Sequence, residues 1–162
     1  MSSPWLQSMT PVAPPTSANP GLRFMVYAGI VTGAWSGVVC LAIYGIGRLA
    51  GVPFLVVTRS GDPQAQVTWL APLLVPIAFG VLGALAASLL LGRRRARLIT
   101  FWVGTLLALG SAVGPFTQPG DVLWSTRIWL VVMHVVTWFL VVPQLARIVG
   151  DSEPGASVDR GD

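Results

Sequence analysis

The sequence predicts an all-α integral membrane protein: a four-helix bundle, N-in/C-in, with disordered N- and C-terminal tails. Three observations carry this. Only 10% of the 162 residues are charged while 54% are hydrophobic, against roughly 25% charged in a soluble domain. Ten basic and six acidic side chains cannot cover a soluble globule of this size. Four charge-free stretches, Phe24–Gly47, Pro63–Gly92, Leu98–Gly120 and Ile128–Ala146, meet or approach the length a span requires; at 1.5 Å rise per residue, about 20 apolar residues cross a hydrocarbon core of about 30 Å. The charges that remain concentrate between these stretches and at the C-terminus. A β-barrel would need short segments alternating in polarity, and these runs are apolar all round.

Taken in order, residues 1–21 hold five prolines, several serines and no charged side chain, a composition that packs no core and reads as a disordered cytoplasmic tail. The four-helix domain covers 22–149, with spans near 24–48, 67–91, 98–114 and 125–146. The first span exceeds the apolar core of a signal peptide and has no basic side chain ahead of Arg23, so it is expected to be retained. An outer loop, Gly51–Gln66, contains the apolar, β-branched run Val52–Val57, which fits a short strand or a segment dipping into the membrane interface; the interface is favoured. A tight basic turn, Gly92–Arg97, makes the second and third helices antiparallel neighbours. A second outer loop, Pro115–Trp124, precedes the fourth span. Residues 150–162, with four acids against Arg160, read as a disordered acidic tail.

Orientation follows from the arginines, which supply every basic side chain. With the N-terminus inside, Arg23, Arg93, Arg94, Arg95, Arg97, Arg147 and Arg160 face the cytoplasm, and Arg48, Arg59 and Arg127 face outward, as the positive-inside rule favours. Arg93, Arg94, Arg95 and Arg97 are expected to face anionic lipid headgroups, at about 1 kcal/mol each near the surface. Trp69, Trp124 and Trp129 fall near the outer boundary and Trp102 near the inner one, as an aromatic belt would.

Small residues predict how the helices associate. Gly29, Gly33 and Gly37 recur every four residues on the first helix, with Gly45 two steps further. Gly80, Ala84 and Ser88 repeat the spacing on the second helix, and Gly104, Ala108 and Ala112 on the third. Such ridges let backbones approach closely, the means by which membrane helices pack without a hydrophobic driving force. A spare seam would meet a second chain.

One polar constellation stands out. Ser36, Cys40, Tyr44 and Arg48 share a face of the first helix, and Arg127 and His134 share a face of the fourth. Pro72 and Pro76 each remove a backbone donor and free a carbonyl four residues earlier, at Thr68 and Pro72. Tyr44, Arg48, Arg127 and His134 are the candidate polar site, with His134 expected to bond those freed carbonyls. A structural His134 is the plain reading and a ligand or ion site the alternative. Arg127, at a helix N-terminus, opposes the dipole and is expected to pair with Asp121, Asp62 or a bound anion.

Much chemistry is missing from the sequence. No acidic residue falls within a span, which disfavours proton- or ion-coupled carriers. One Cys and one His build neither a disulfide nor a metal site. No nucleophile–base pair, phosphate-binding loop or zinc-protease motif is recognisable, and the basic residues lack the aromatic interleaving of a nucleic-acid face. No catalytic residue, cofactor or metal is expected, and the protein is not read as an enzyme.

The run Tyr44-Gly45-Ile46-Gly47-Arg48-Leu49-Ala50-Gly51-Val52-Pro53-Phe54, the Gly114-Pro115 step, and Thr126-Arg127 … Met133-His134 … Val142-Pro143 resemble an actinobacterial family of small four-helix membrane proteins of unknown function. The likeness covers roughly residues 24–148. It implies four spans and an actinobacterial plasma membrane, and supplies no catalytic or binding residues. Two functions stay open: an accessory or assembly partner of a larger membrane complex, meeting a membrane-protein partner or a second copy of itself, and a small-molecule or lipid binding or transport protein using an outer-leaflet polar pocket.

Overall fold

The structure, a computed structural model, describes residues 20–58 and 62–154. Helix α1 spans Leu22–Leu49, α2 Leu70–Ser88, α3 Ala96–Val113 and α4 Trp124–Gly150. A 3-10 turn, Gly114–Thr117, extends α3. Among the described residues these four helical segments are long and apolar enough to cross a membrane. The expected tail before Pro20, the end of the chain from Gly155, and Arg59 lie outside the described residues.

The helices form two intimate pairs. α1 makes its broadest contact with α2, and α3 with α4; α1 also lies along α4, while α2 and α3 scarcely meet. The α1–α2 pair rests on missing side chains. A Cβ added at Gly29 would overlap the Gly80 carbonyl, and one at Gly80 the Gly29 carbonyl. At Gly33 it would lie 2.7 Å from Ile77 Cα and 2.8 Å from the Pro76 oxygen, and at Gly37 it would overlap the Leu73 carbonyl. Backbones this close maximise dispersion contact, the attraction left to helices already in an apolar solvent. The approach ends at Gly37: a Cβ at Gly45 would meet nothing within 4 Å. Gly104 instead faces α4, where an added Cβ would meet Val142 Cγ1 at 2.8 Å.

Two buried clusters close the ends. At the arginine end, where the Arg93–Arg97 turn lies, Met25, Ala28, Ala84, Ala87, Ala96, Leu145, Ile148 and Val149 pack together. Burial of Ile148 and Val149 carries α4 to Gly150, past the expected end near Ala146. The acidic tail expected from Gly150 therefore begins later, because Ser152 and Glu153 are tied to the α2–α3 turn. Ser152 Oγ accepts the Gly92 N–H at 3.0 Å, and Glu153 Oε1 accepts the Arg97 N–H at 2.7 Å. Arg97 is in the first turn of α3, so a carboxylate fills one of the open donors of that helix end and complements its dipole.

At the other end, the loop end, Cys40, Val52, Phe54 and Met133 form the second cluster. The run Val52–Val57 is a strand after all: β1 (Leu55–Val56) pairs antiparallel with β2 (Ala65–Gln66), Leu55 opposite Gln66. The segment packs on the bundle, with Val52 and Phe54 both buried. The second loop joins it: the Val57 N–H donates to Gln118 Oε1 at 2.8 Å, and Gln64 Nε2 to Asp121 Oδ2 at 2.7 Å.

Candidate functional site

The four side chains of the expected polar site occupy three different settings. Tyr44 and Arg48 belong to a hook at the end of α1. Gly51, at φ +81°, takes the left-handed conformation that ends a helix. The Val52 N–H then reaches the Gly47 carbonyl at 2.9 Å and the Gly51 N–H reaches Arg48 O at 3.1 Å, the paired bonds of a Schellman stop. The reversed chain tucks Phe54 under Tyr44, with ring centroids 4.6 Å apart. Phe54 itself has φ +51°, a costly conformation for an aromatic residue. Its complete burial is what opposes that cost. Gly47 makes the space, since a Cβ there would lie 2.7 Å from the Phe54 ring and 3.3 Å from Trp129. Tyr44 donates its hydroxyl to Val67 O at 2.8 Å, and Arg48 Nη1 donates to Pro53 O at 3.1 Å.

Arg127 sits apart, 6% exposed, at the start of α4. Its Nε donates to Val122 O at 3.1 Å, Nη1 to Phe116 O at 3.1 Å and Nη2 to Pro119 O at 2.6 Å. Its Cζ lies 5.0 Å from the Trp124 ring centroid, within cation–π range. The carboxylate or anion expected beside it is replaced by three carbonyls, and Asp121 serves Gln64. Pro119 O accepts from the Val122 N–H at 3.0 Å as well as from the guanidinium, and the three carbonyls converge where a planar fork of donors suits them.

His134 lies deeper. Its Nδ1 is 2.7 Å from the carbonyl of Leu130, one turn earlier in its own helix, which fixes the proton on Nδ1. The expected bond to Thr68 or Pro72 does not form. Thr68 O accepts the Ala71 N–H at 3.0 Å. A helical carbonyl is the nearer partner, and α2 stands away from His134 across an open space.

That space is a cleft that sequence reasoning missed. A cleft of about 730 Å³ runs between α2, α3 and α4, from Val67 and Ser111 at the loop end to Leu90 and Ile99 at the arginine end. Its walls are almost wholly apolar; His134, Thr137, Thr100, Ser111 and Cys40 are the polar exceptions. It opens sideways because α2 and α3 scarcely touch. Ser36 Oγ donates to Thr137 Oγ1 at 3.2 Å and Cys40 Sγ to Met133 O at 3.6 Å, so these two members of the polar face of α1 join it to α4. Thr100 lines the cleft with its Oγ1 buried and without a hydrogen-bond partner.

At the arginine end, Arg93, Arg94, Arg95 and Arg97 are exposed. Gly92 at φ +72° and Arg95 at φ +64° reverse the chain there. Among the described residues no group of three His, Cys, Asp or Glu side chains is placed to hold a metal.

Four apolar helices, capped at both ends by short polar connections around an apolar cleft, define a multi-pass α-helical membrane protein. The chain belongs to the family of unknown function DUF6069, whose model matches residues 20–151, a family of small actinobacterial membrane proteins. No curated protein and no solved structure matches the chain.

Proposed function

We propose that this is a non-enzymatic protein of the plasma membrane, oriented N-in/C-in, that holds an apolar molecule in the cleft between α2, α3 and α4. The cleft carries the reading. Its volume of about 730 Å³ falls within the roughly 300–1,000 Å³ of small-molecule pockets. The apolar walls suit a lipid or another membrane-soluble molecule. The test is native mass spectrometry of protein extracted from its own membranes in mild detergent. A retained apolar molecule is expected, lost in Ala108→Phe or Ala86→Phe, whose parent residues line the cleft. A bare polypeptide mass under conditions that preserve the fold overturns it.

A second reading, an accessory or assembly subunit of a larger membrane complex, is favoured by α3. Of its 18 residues only Ala96 is buried, and Leu98, Trp102, Leu106, Leu109 and Val113 lie exposed at helical spacing. The same measurement decides it: a stoichiometric companion chain or a second copy supports this role, and a lone chain removes it.

A further inference from the structure

Resting on the apolar-ligand reading, we infer that the occupant of the cleft is an anionic phospholipid, its acyl chain between α2 and α3 and its headgroup at the Arg93–Arg97 turn. The argument joins the cleft to the charges at its end. The cavity finishes at Leu90 and Ile99, three residues before Arg93 on one side and two after Arg97 on the other. Four exposed guanidinium groups thus cluster at one mouth of an apolar channel. Among the described residues the carboxylates nearby are Asp151 and Glu153, and Glu153 is engaged by the Arg97 backbone N–H; two carboxylates against four arginines leave the turn positive.

Among the described residues the opposite end carries Arg48 and Arg127 beside the carboxylates of Asp62 and Asp121, and so has no excess of positive charge. Arg127 is enclosed by carbonyls and Arg48 donates to Pro53. An amphiphile with an apolar tail and a negative head matches this polarity in one orientation only. The opening between α2 and α3 faces the bilayer, so the molecule enters from the side without leaving lipid. An uncharged apolar ligand would leave the arginine turn without a role in binding.

The experiment uses the full chain in nanodiscs of equal phosphatidylglycerol and phosphatidylcholine, with lipids carried into the gas phase identified by native mass spectrometry. Phosphatidylglycerol should be enriched about tenfold over its share of the disc, the preference that about 1.4 kcal/mol provides and that one or two arginines near a surface supply. Arg93→Gln with Arg94→Gln should return the ratio to near one while lipid is still retained. Arg95, with its left-handed backbone, and Arg97, which packs on Gly150, are left intact. Raising sodium chloride from 50 to 500 mM should lower the wild-type enrichment several-fold, a readout that needs no variant to fold. Retained lipid without preference, or a preference indifferent to salt and to both substitutions, overturns the inference and leaves the apolar-ligand reading standing. No retained lipid at all fells both.

Discussion

Arg127 and Phe116, eleven residues apart, are joined by a 3.1 Å hydrogen bond from guanidinium to carbonyl, and with Pro119 and Val122 that bond locks the second loop onto the start of α4. A cation in the first turn of a helix costs about 0.3–1 kcal/mol against the dipole. Charge-assisted hydrogen bonds contribute about 1.5–3 kcal/mol each, so the carbonyls win. Arg127→Met should therefore lower stability in detergent by about 3 kcal/mol, read as a drop in Tm. Arg127→Lys should recover only part of it, because an ammonium cannot reproduce the planar fork. Full recovery by lysine would show that charge alone matters.

The α1–α2 seam gives a paired test. Gly80→Ile places bulk against the Gly29 carbonyl, where only backbone movement can make room, and should cost at least the 1–3 kcal/mol of about one overpacked site. Gly45→Ala meets nothing within 4 Å and should be neutral or raise stability by up to about 1 kcal/mol, alanine being the better helix former. Thermal unfolding of both variants in one detergent checks the contrast. Equal effects would mean the seam is not what holds α1 to α2.

Gly47 and Phe54 should behave as one unit. Phe54→Ala empties a fully buried site and should cost about 3 kcal/mol; Gly47→Val, which drives side-chain atoms into the same ring, should be comparably damaging. The double variant should be far less than additive, since the valine partly fills the space the ring vacates. Additive losses would argue against direct contact.

Glu153→Ala should weaken α3 at its start by about 1 kcal/mol, the usual loss of a helix cap, and speed hydrogen exchange at the Arg97 amide. Glu153→Gln keeps an acceptor oxygen and should retain most of the protection. Unchanged exchange in the alanine variant would remove the capping role.

The helices were legible because bilayer thickness imposes a length and forbids charges, and both are plain in the sequence. Their ends were not. Whether α4 stops at Ala146 or Gly150 depends on the burial of Ile148 and Val149, a tertiary matter. Gly29, Gly33, Gly37 and Gly80 stood out by spacing and do meet backbone; Gly45 shares the spacing and meets nothing, since periodicity names a face without saying where a neighbour's axis crosses it. The Phe54 hook was hidden because its fit depends on Gly47, seven residues earlier in a different element. The setting of Arg127 was hidden because a search for opposite charge passes over neutral carbonyl partners. The cleft left no mark at all: it is the gap between α2 and α3, and no residue type encodes a contact that is not made.

The glycine seam also bears on the order in which the molecule is built. α1 and α2 are consecutive, and their close approach at Gly29 and Gly80 asks nothing of later residues, so this hairpin is complete while the ribosome is still synthesising α3. α3 has no such support. Its Arg97 amide waits for Glu153 and the turn before it for Ser152, just past the end of α4, and only when those residues leave the ribosome is the start of the third helix pinned. Chains cut short before Ser152 should enter the membrane with a sound first half and a loose second.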